Sequence, residues 1–295
     1  MPELPEVETV RRGLEPVLVG NSIARVEQRR ADLRFPLPRD FARRLAGRRI
    51  VSLDRRAKYL LARLDDGEVL VMHLGMTGRL SIDRANGVKL APGTFVHERT
   101  QAPAPHEHIV FHLADGTAIR YSDARRFGSM DLIQADMLPH HALFKGLGVE
   151  PLRPEFTPAW LGARLAGKKA PIKTALVDQR LIAGLGNIYA CEALYRAKLS
   201  PLRLAGTLAT KTGKPTPRAE ALVKGVQAVL AEGIEAGGST LRDYAGADGE
   251  LGRFQHRFKV YGREGKPCPR KGCGGTVRRI VQSGRSTFYC PTCQR

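Results

Sequence analysis

The segment HIVFHLADGTAIRYS, residues 108–122, sets the fold class of the first half of the chain. Apolar residues recur on both sides of Asp115-Gly116, a dipeptide that favours a tight turn, so the segment predicts a β-hairpin. The neighbouring segments EVLVMHL and RLSI predict further strands, and the strand pattern extends from Ile23 to about Ile133. Residues 86–105 have poor periodicity and three prolines, which predicts a long exposed loop.

A helix precedes these strands. Over residues 3–18, Val7, Val10 and Leu14 recur at helical spacing, and glutamates crowd the first turns, where the positive end of the helix dipole favours them. The first half of the chain is therefore expected to be a strand-rich sandwich or barrel led by one helix.

After Pro139 the hydrophobic period becomes helical. Thr157-Pro158 predicts an N-cap followed by a first helical position, with the helix continuing through Leu165. NIYACEALYRA, from Asn187, and a second stripe from Leu222 to Ile234 predict two more helices; Gly237-Gly238 ends the second. Beyond Tyr261 only short strands and turns are expected.

The charge balance favours an anionic partner. Lys and Arg number 48 against 29 Asp and Glu, a formal net charge of +19. Residues 257–295 contain ten basic residues and one acidic residue, Glu264. This clustering favours nucleic acid over an anionic membrane surface, since no amphipathic helix carries the cations on one face. No apolar run is long enough to span a bilayer, and no secretory signal is recognisable.

The cysteines predict a metal site. Cys268, Cys273, Cys290 and Cys293 have the spacing C-x4-C-x16-C-x2-C, which is typical of four thiolates on a closed, structural zinc ion. Without a secretory signal a reducing compartment is expected, which disfavours disulfides. The fifth cysteine, Cys191, falls in a helical pattern and is expected to be a buried small hydrophobic residue.

Pro2 is a candidate nucleophile. Removal of Met1, usual before a small residue, would leave a secondary amine that can attack a sugar carbon and form an iminium. Glu3 and Glu6 beside it are candidate general acids. The simpler interpretation is that Pro2 starts the helix while the glutamates cap it, and composition alone favours that interpretation.

Five motifs together resemble formamidopyrimidine-DNA glycosylase: MPELPEVET, HLGMTG, RRFG, GLGNIYACE and the C-terminal cysteine hairpin. They occur in order over essentially the whole chain. The resemblance implies an α+β multidomain protein with three parts: an N-terminal catalytic β-sandwich (residues 1–135), a helical helix-two-turns-helix DNA-binding domain (136–255) and a zinc finger (256–295). The family usually has CxxC where CPRKGC stands, so the first zinc knuckle contains two extra residues.

The resemblance also implies roles for individual residues. Pro2 would be the Schiff-base nucleophile and Glu3 the acid in base excision. Lys58, which we expect to lie in a strand, would assist the first elimination at the abasic site. Arg285 would assist the second elimination. Residues implied to fill the void left by an everted base are Met76, Arg125 and Phe127. Residues implied to contact phosphates or other parts of the DNA are His73, His106, Arg126, Lys168, Lys173 (near the lesion pocket) and Asn187. The glycine-rich segment 237–255 matches the family's loop over the everted base.

The resemblance favours a bifunctional glycosylase and abasic-site lyase for oxidised purines. Two alternatives stay open: an endonuclease VIII-like enzyme for oxidised pyrimidines, which typically has glycine at the position of Leu4, and a non-catalytic zinc-ribbon protein that binds DNA. The expected partner is double-stranded DNA containing oxidised bases. We expect one zinc ion, a monomer without an obligate protein partner or membrane, and a cytoplasmic, nucleoid-associated location in a bacterium.

Overall fold

The structure, a computed structural model, describes residues 2–83, 106–239 and 252–295. The chain folds into two compact units. The first unit comprises residues 1–145 and 236–253, and the second comprises residues 146–235 and 254–295. The expected loop over residues 86–105 and most of the glycine-rich segment 237–255 lie outside the described residues. Among the described helices, none combines the length and hydropathy needed to cross a membrane.

The first unit is a sandwich of two antiparallel four-stranded sheets. One sheet has the order β1-β6-β7-β5, and its strands are β1 (Ile23–Gln28), β5 (Arg79–Asp83), β6 (Glu107–Leu113) and β7 (Ala118–Ser122). The other has the order β2-β3-β4-β8, and its strands are β2 (Ile50–Arg56), β3 (Tyr59–Leu64), β4 (Glu68–His73) and β8 (Ser129–Gln134). The expected hairpin is present, with Phe111 opposite Ile119.

The leading helix, α1 (Leu4–Leu18), closes the core of this sandwich. Its predicted stripe of Val7, Val10 and Leu14 is at most 3 % exposed and packs in one cluster with side chains of both sheets. A short helix, α2 (Phe41–Leu45), also contributes Phe41 to this core and was not anticipated, because five residues are too few to show a helical period.

The second unit contains four α-helices within its described residues. They are α3 (Pro158–Leu165), α4 (Ile172–Leu176), α5 (Asn187–Arg196) and α6 (Pro217–Glu235). Thr157 caps α3 as predicted, since its Oγ1 accepts a hydrogen bond from the N–H of Trp160 at 3.1 Å. α6 ends two residues before Gly237, which adopts a φ of +73°. The five-residue α4 was not foreseen.

A C-terminal hairpin completes the second unit. It consists of β9 (Arg278–Gln282) and β10 (Arg285–Tyr289), paired in antiparallel register. Cys191 of α5 is 1 % exposed, as predicted, and packs in one cluster with Tyr195, Val260 and Val277. The hairpin region is therefore held against α5 by an apolar cluster.

Candidate active site and nucleic-acid contacts

The amino end of α1 is buried and built around two glutamates. Glu3 is the N-cap residue and forms a reciprocal capping box with Glu6, in which the N–H of Glu3 donates to Oε2 of Glu6 at 2.9 Å. Pro2 is buried as well, while Met1 lies outside the described residues. The candidate nucleophile and the candidate acid therefore adjoin a fixed helix terminus, which satisfies backbone donors that would otherwise be unpaired.

Glu6 also links α1 to a distant part of the first unit. Its Oε1 accepts hydrogen bonds from the N–H of Ser239 at 2.7 Å and from the Ser239 hydroxyl at 2.9 Å. Gly238 precedes this contact with a φ of +81°, and a Cβ there would lie 3.0 Å from Cγ of Glu6. The Glu6 carboxylate thus joins the start of α1 to Gly238 and Ser239.

The prediction that Lys58 is a strand residue is wrong. Arg56 and Tyr59 pair directly across the β2–β3 hairpin, so Ala57 and Lys58 form its two-residue turn, with Ala57 at a φ of +53°. A turn that short is not visible as a break in the hydrophobic pattern. Lys58 is nevertheless only 6 % exposed, which is unusual for a lysine in a turn.

His73, at the end of β4, is a neutral hydrogen-bonding group at physiological pH. Burial, and then the positive charges of Lys58 and Arg34, lower the pKa of His73 to about 4. Its Nδ1 accepts a hydrogen bond from the N–H of Gly75 at 3.0 Å. The ring proton is therefore on Nε2, where it can be donated to an anionic oxygen.

Two loops of the first unit bring the predicted void-filling residues together. We call residues 74–78 the first filler loop and residues 123–128 the second filler loop. Met76 is half-buried in the first, and Phe127 is 41 % exposed in the second. The guanidinium carbon of Arg125 lies 4.6 Å from the centroid of the Phe127 ring.

The two filler loops touch through their backbones. A Cβ on Gly75, whose φ is +61°, would lie 2.3 Å from the carbonyl carbon of Phe127, so only glycine fits there. Arg126, in the second loop, is exposed, and its guanidinium lies 3.6 Å from a carboxylate oxygen of Asp32. His106 is exposed, and its carbonyl accepts a hydrogen bond from the N–H of Asp123 at 3.0 Å.

In the second unit the four C-terminal cysteines converge. Their Sγ atoms all lie within 4.8 Å of one another, with Cys268 3.8 Å from Cys293 and Cys273 3.6 Å from Cys290. A tetrahedral zinc ion with bonds of about 2.3 Å to sulfur needs sulfurs about 3.8 Å apart. The donor set and spacing therefore fit one structural zinc ion, despite the longer first knuckle.

One residue of the longer first knuckle, Arg270, anchors it to α5. Arg270 donates a hydrogen bond of 2.6 Å to the carbonyl of Tyr195, near the carboxyl end of α5. Its guanidinium carbon also lies 4.5 Å from the centroid of the Tyr195 ring, and the Tyr195 hydroxyl is 3.8 Å from Sγ of Cys268. Cations are favoured at this end of a helix.

Arg285 lies at the tip of the C-terminal hairpin and is exposed. Ser283 and Gly284 form the turn with φ values of +49° and +73°, and positive φ at both positions is characteristic of type I′ hairpin turns. The residue after Arg285 is held in place, because Nδ2 of Asn187 donates to the carbonyl of Ser286 at 2.9 Å. Asn187, expected at a phosphate, thus supports the hairpin.

Comparison with known proteins identifies a family that combines these three regions of the chain. Residues 1–130 match the formamidopyrimidine-DNA glycosylase N-terminal domain, residues 147–245 its H2TH domain, and residues 265–295 the zinc finger found in FPG and IleRS. The formamidopyrimidine-DNA glycosylase of Beijerinckia indica is 61 % identical over the full length of both chains. The chain belongs to the formamidopyrimidine-DNA glycosylase (Fpg) family.

Solved Fpg structures share the fold. The crystal structure of the Thermus thermophilus Fpg protein has a TM-score of 0.81 and 41 % identity, covering 99 % of this chain and 98 % of that one. Lactococcus lactis Fpg in complex with abasic-site DNA has a TM-score of 0.82 and 32 % identity over 99 % of both chains. A variant of that protein with Fapy-dG-containing DNA has a TM-score of 0.80 and 33 % identity over both full chains.

Two carboxylates of this Fpg family member escaped the sequence analysis. Asp123 is 0 % exposed and bonds to both filler loops. Glu192, 1 % exposed on α5, accepts hydrogen bonds of 2.9–3.1 Å from the N–H groups of Lys259, Val260 and Tyr261. The only signals in the sequence were an acidic residue in a basic motif, DARRFG, and another in an apolar helical stripe, ACEAL.

The two lysines predicted to contact DNA differ in exposure. Lys168 is exposed and lines a concave pocket of about 400 Å³ together with Lys169 and Lys211. Lys173, in α4, is 1 % exposed. A lysine head group buried to this extent has no solvent-facing surface for a phosphate, so of the two Lys168 is better placed to meet the backbone of a nucleic acid.

Proposed function

We propose that this Fpg family member is a bifunctional DNA glycosylase and abasic-site lyase of base excision repair that excises oxidised purines, including 8-oxoguanine and formamidopyrimidines. Family membership over the full chain supports the reaction class. The observation that carries the proposal is the buried Pro2 directly before the Glu3–Glu6 capping box. Removal of Met1 converts this proline nitrogen into a secondary amine at the positive end of α1.

The chemistry begins at the Pro2 nitrogen. The helix dipole disfavours protonation of the amine and so keeps its lone pair available. The nitrogen attacks C1′ of the damaged nucleotide, the bond from C1′ to the base breaks, and Glu3 supplies a proton to the departing base or to the sugar ring oxygen. The nitrogen loses its proton and the ring oxygen takes one as the sugar opens, which leaves an iminium between Pro2 and C1′.

The iminium makes the protons on C2′ acidic and so permits strand cleavage. Loss of one of them breaks the bond from C3′ to the 3′-phosphate oxygen, and a second elimination breaks the bond from C5′ to the 5′-phosphate oxygen. We assign Lys58 to the first elimination and Arg285 to the second. The planar Arg285 guanidinium suits bidentate contact with the phosphate oxygens that flank the lesion. Zinc has an architectural role, since four thiolates leave no position open.

Further residues are assigned to DNA recognition. Eversion of a base leaves a gap whose cost is a few kcal/mol unless side chains fill it. Met76 and Phe127 would enter the gap, and Arg125 would offer hydrogen bonds to the orphaned cytosine. We assign phosphate and other DNA contacts to His73, His106, Arg126, Lys168 and Asn187, and retain Lys173 as the least accessible candidate.

The organisation of the chain follows from the same proposal. We propose three functional parts, residues 1–135, 136–255 and 256–295, acting on double-stranded DNA with oxidised bases. The protein acts as a monomer in the cytoplasm of a bacterium, in association with the nucleoid, and without an obligate protein partner. The net charge of +19 supports long-range attraction to DNA.

Borohydride trapping tests the proposal. Reduction of the iminium converts it into a stable amine, so the wild-type protein and lesion DNA should form a covalent adduct whose protein mass lacks Met1. Pro2→Gly should still bind lesion DNA yet lose most base excision, and Glu3→Gln should lose excision while retaining binding. Full activity from a protein that retains Met1 quantitatively would refute the role of Pro2.

The substrate panel in the same experiment separates the alternatives. Duplexes with 8-oxoguanine, a formamidopyrimidine or an oxidised pyrimidine are compared at equal protein concentration under single-turnover conditions. Faster excision of the oxidised pyrimidine would indicate an endonuclease VIII-like enzyme. Binding to every duplex without a trapped adduct would indicate a non-catalytic zinc-ribbon protein.

A further inference from the structure

A buried carboxylate joins the two filler loops. Asp123 is fully buried, and its Oδ1 accepts a hydrogen bond from the hydroxyl of Thr77 in the first filler loop. Its Oδ2 accepts hydrogen bonds from the N–H of Gly128 at 2.8 Å and from the Tyr121 hydroxyl at 3.0 Å. A buried carboxylate is tolerated only with such donors, so it strongly favours the arrangement that provides them.

The Thr77 hydroxyl also bonds to the backbone of Arg125. Because a carboxylate oxygen only accepts, the hydroxyl donates its proton to Asp123 and keeps its lone pairs for other donors. One lone pair accepts the N–H of Arg125 at 3.2 Å. The backbone of Arg125 is therefore fixed relative to the residue that follows Met76.

The same aspartate fixes the second filler loop at both ends. The N–H of Asp123 donates to the His106 carbonyl at 3.0 Å, and Nε2 of His108 lies 2.8 Å from the Asp123 carbonyl oxygen. Gly128, the other end, approaches so closely that a Cβ there would lie 3.0 Å from Oδ2 of Asp123. The loop between these ends carries Arg125 and Phe127.

We propose that Thr77 and Asp123 are positioning residues that hold Met76, Arg125 and Phe127 as one preorganised unit, and that they thereby set discrimination for the base opposite the lesion. The inference rests on the proposed void-filling role of these three side chains. Loops that are already ordered lose less conformational entropy when they enter the DNA. A fixed Arg125 can also distinguish cytosine from other bases by the direction of its hydrogen bonds, which a loosely held guanidinium cannot.

The test compares Thr77→Val with Thr77→Ser. Valine has nearly the shape of threonine but removes the hydroxyl, whereas serine keeps it. The measurement is the ratio of single-turnover excision rates of 8-oxoguanine opposite cytosine and opposite adenine. We expect this ratio to fall about tenfold in Thr77→Val, a factor that corresponds to the free energy of one or two lost hydrogen bonds. In Thr77→Ser the ratio should stay within about twofold of the wild-type value.

The ratio isolates positioning from stability. Both rates come from one protein preparation, so a smaller folded fraction would change their amplitudes equally and leave the ratio unaltered. An unchanged ratio in Thr77→Val would overturn the inference, as would an equal fall in Thr77→Ser. Asp123→Asn gives a second variant, since its amide directs N–H groups at donors, and the same fall in ratio is expected.

Arg125→Ala, measured in parallel, separates this inference from the proposal that Arg125 contacts the base opposite the lesion. If Arg125→Ala lowers all rates by one common factor, the role of Arg125 in reading the opposite base is wrong and the positioning inference falls with it. If Arg125→Ala lowers the ratio but Thr77→Val does not, only the positioning inference fails.

Discussion

At the scale of single residues, burial changes what a side chain can do. The neutral state of His73 follows from burial combined with two neighbouring cations, which together lower its pKa to about 4. An exposed histidine titrates near pH 6.5 and would carry partial charge under physiological conditions. The structure therefore assigns His73 a neutral ring with a donor at Nε2, and its affinity for a phosphate oxygen should not depend on its own protonation between about pH 6 and 8.

His73 should make stability depend on pH. Its folded pKa lies below its unfolded value of about 6.5, so the unfolded chain binds the proton more readily. The stabilisation is present above about pH 6.5 and is lost as the pH falls toward 4. Urea unfolding at about pH 7 and pH 5 should show a loss in wild type that exceeds the loss in His73→Gln, by on the order of 1 kcal/mol.

A matched control for this experiment is His140→Gln, which replaces an exposed imidazole in the same unit. Equal pH dependence of unfolding in wild type and His73→Gln would contradict the argument. An imidazole titration by NMR gives the midpoint directly.

At the scale of structural elements, α5 acts as the support of the zinc finger at three levels. At its amino end, the Asn187 side chain donates a hydrogen bond to the carbonyl of Ser286. In the middle, the Glu192 carboxylate accepts hydrogen bonds from three backbone N–H groups. Near its carboxyl end, the carbonyl of Tyr195 accepts a hydrogen bond from Arg270. Burial raises the pKa of Glu192, and the backbone N–H donors partly oppose this. The helix thereby fixes the hairpin that carries Arg285.

Glu192→Ala should loosen the segment 259–261. Three N–H groups would lose their acceptor, and each buried unsatisfied group costs about 1–3 kcal/mol. Hydrogen exchange followed by mass spectrometry should show faster exchange of these amides, with a smaller effect in Glu192→Gln, whose amide oxygen still accepts. Unchanged exchange in Glu192→Ala would show that the apolar cluster alone holds the finger.

The lengthened first knuckle should retain zinc through Arg270. Arg270→Ala removes both the hydrogen bond to Tyr195 and the contact of the guanidinium with its ring. Zinc release to a chromogenic chelator should accelerate several-fold, whereas Lys271→Ala, an exposed neighbour in the same knuckle, should release zinc at the wild-type rate. Similar rates in both variants would assign no anchoring role to Arg270.

At the scale of the whole molecule, we expect positive charge to contribute to the affinity for DNA, and zinc to the folding of the C-terminal hairpin. Each phosphate contact adds about 0.9 to the slope of log K against log salt. Lys168→Ala should therefore weaken binding to damaged and undamaged duplexes alike and lower the slope by about 0.9. Lys224, exposed on α6 and outside the assigned contacts, provides the control. An unaltered slope in Lys168→Ala would remove it from the phosphate contacts.

Loss of zinc should unfold the C-terminal hairpin. Zinc binding energy is folding energy in such small modules, so chelation or Cys290→Ser should abolish tight DNA binding while leaving the melting of the first unit unchanged. The measurements are binding to lesion DNA and circular dichroism during heating. A metal-free protein that binds and cleaves lesion DNA normally would contradict an architectural role.

The sequence by itself determined the elements whose signals are local. Hydrophobic period distinguished the sandwich strands from α5 and α6, Thr157-Pro158 marked the start of α3, and the cysteine spacing identified the zinc ligands. The five motifs that resemble the family are short and contiguous, so they too were visible in the sequence. These signals depend on neighbouring residues along the chain, which the linear pattern records.

Only the tertiary structure decided which distant groups meet. Glu6 bonds to Ser239 across 233 residues, and Thr77 bonds to Asp123 across 46. The burial of Lys173 and the turn position of Lys58 were equally hidden. The physical reason is that a hydrogen bond or a buried charge depends on distance and on exclusion of water. Both are set when the elements pack together, and neither leaves a periodic trace in the chain.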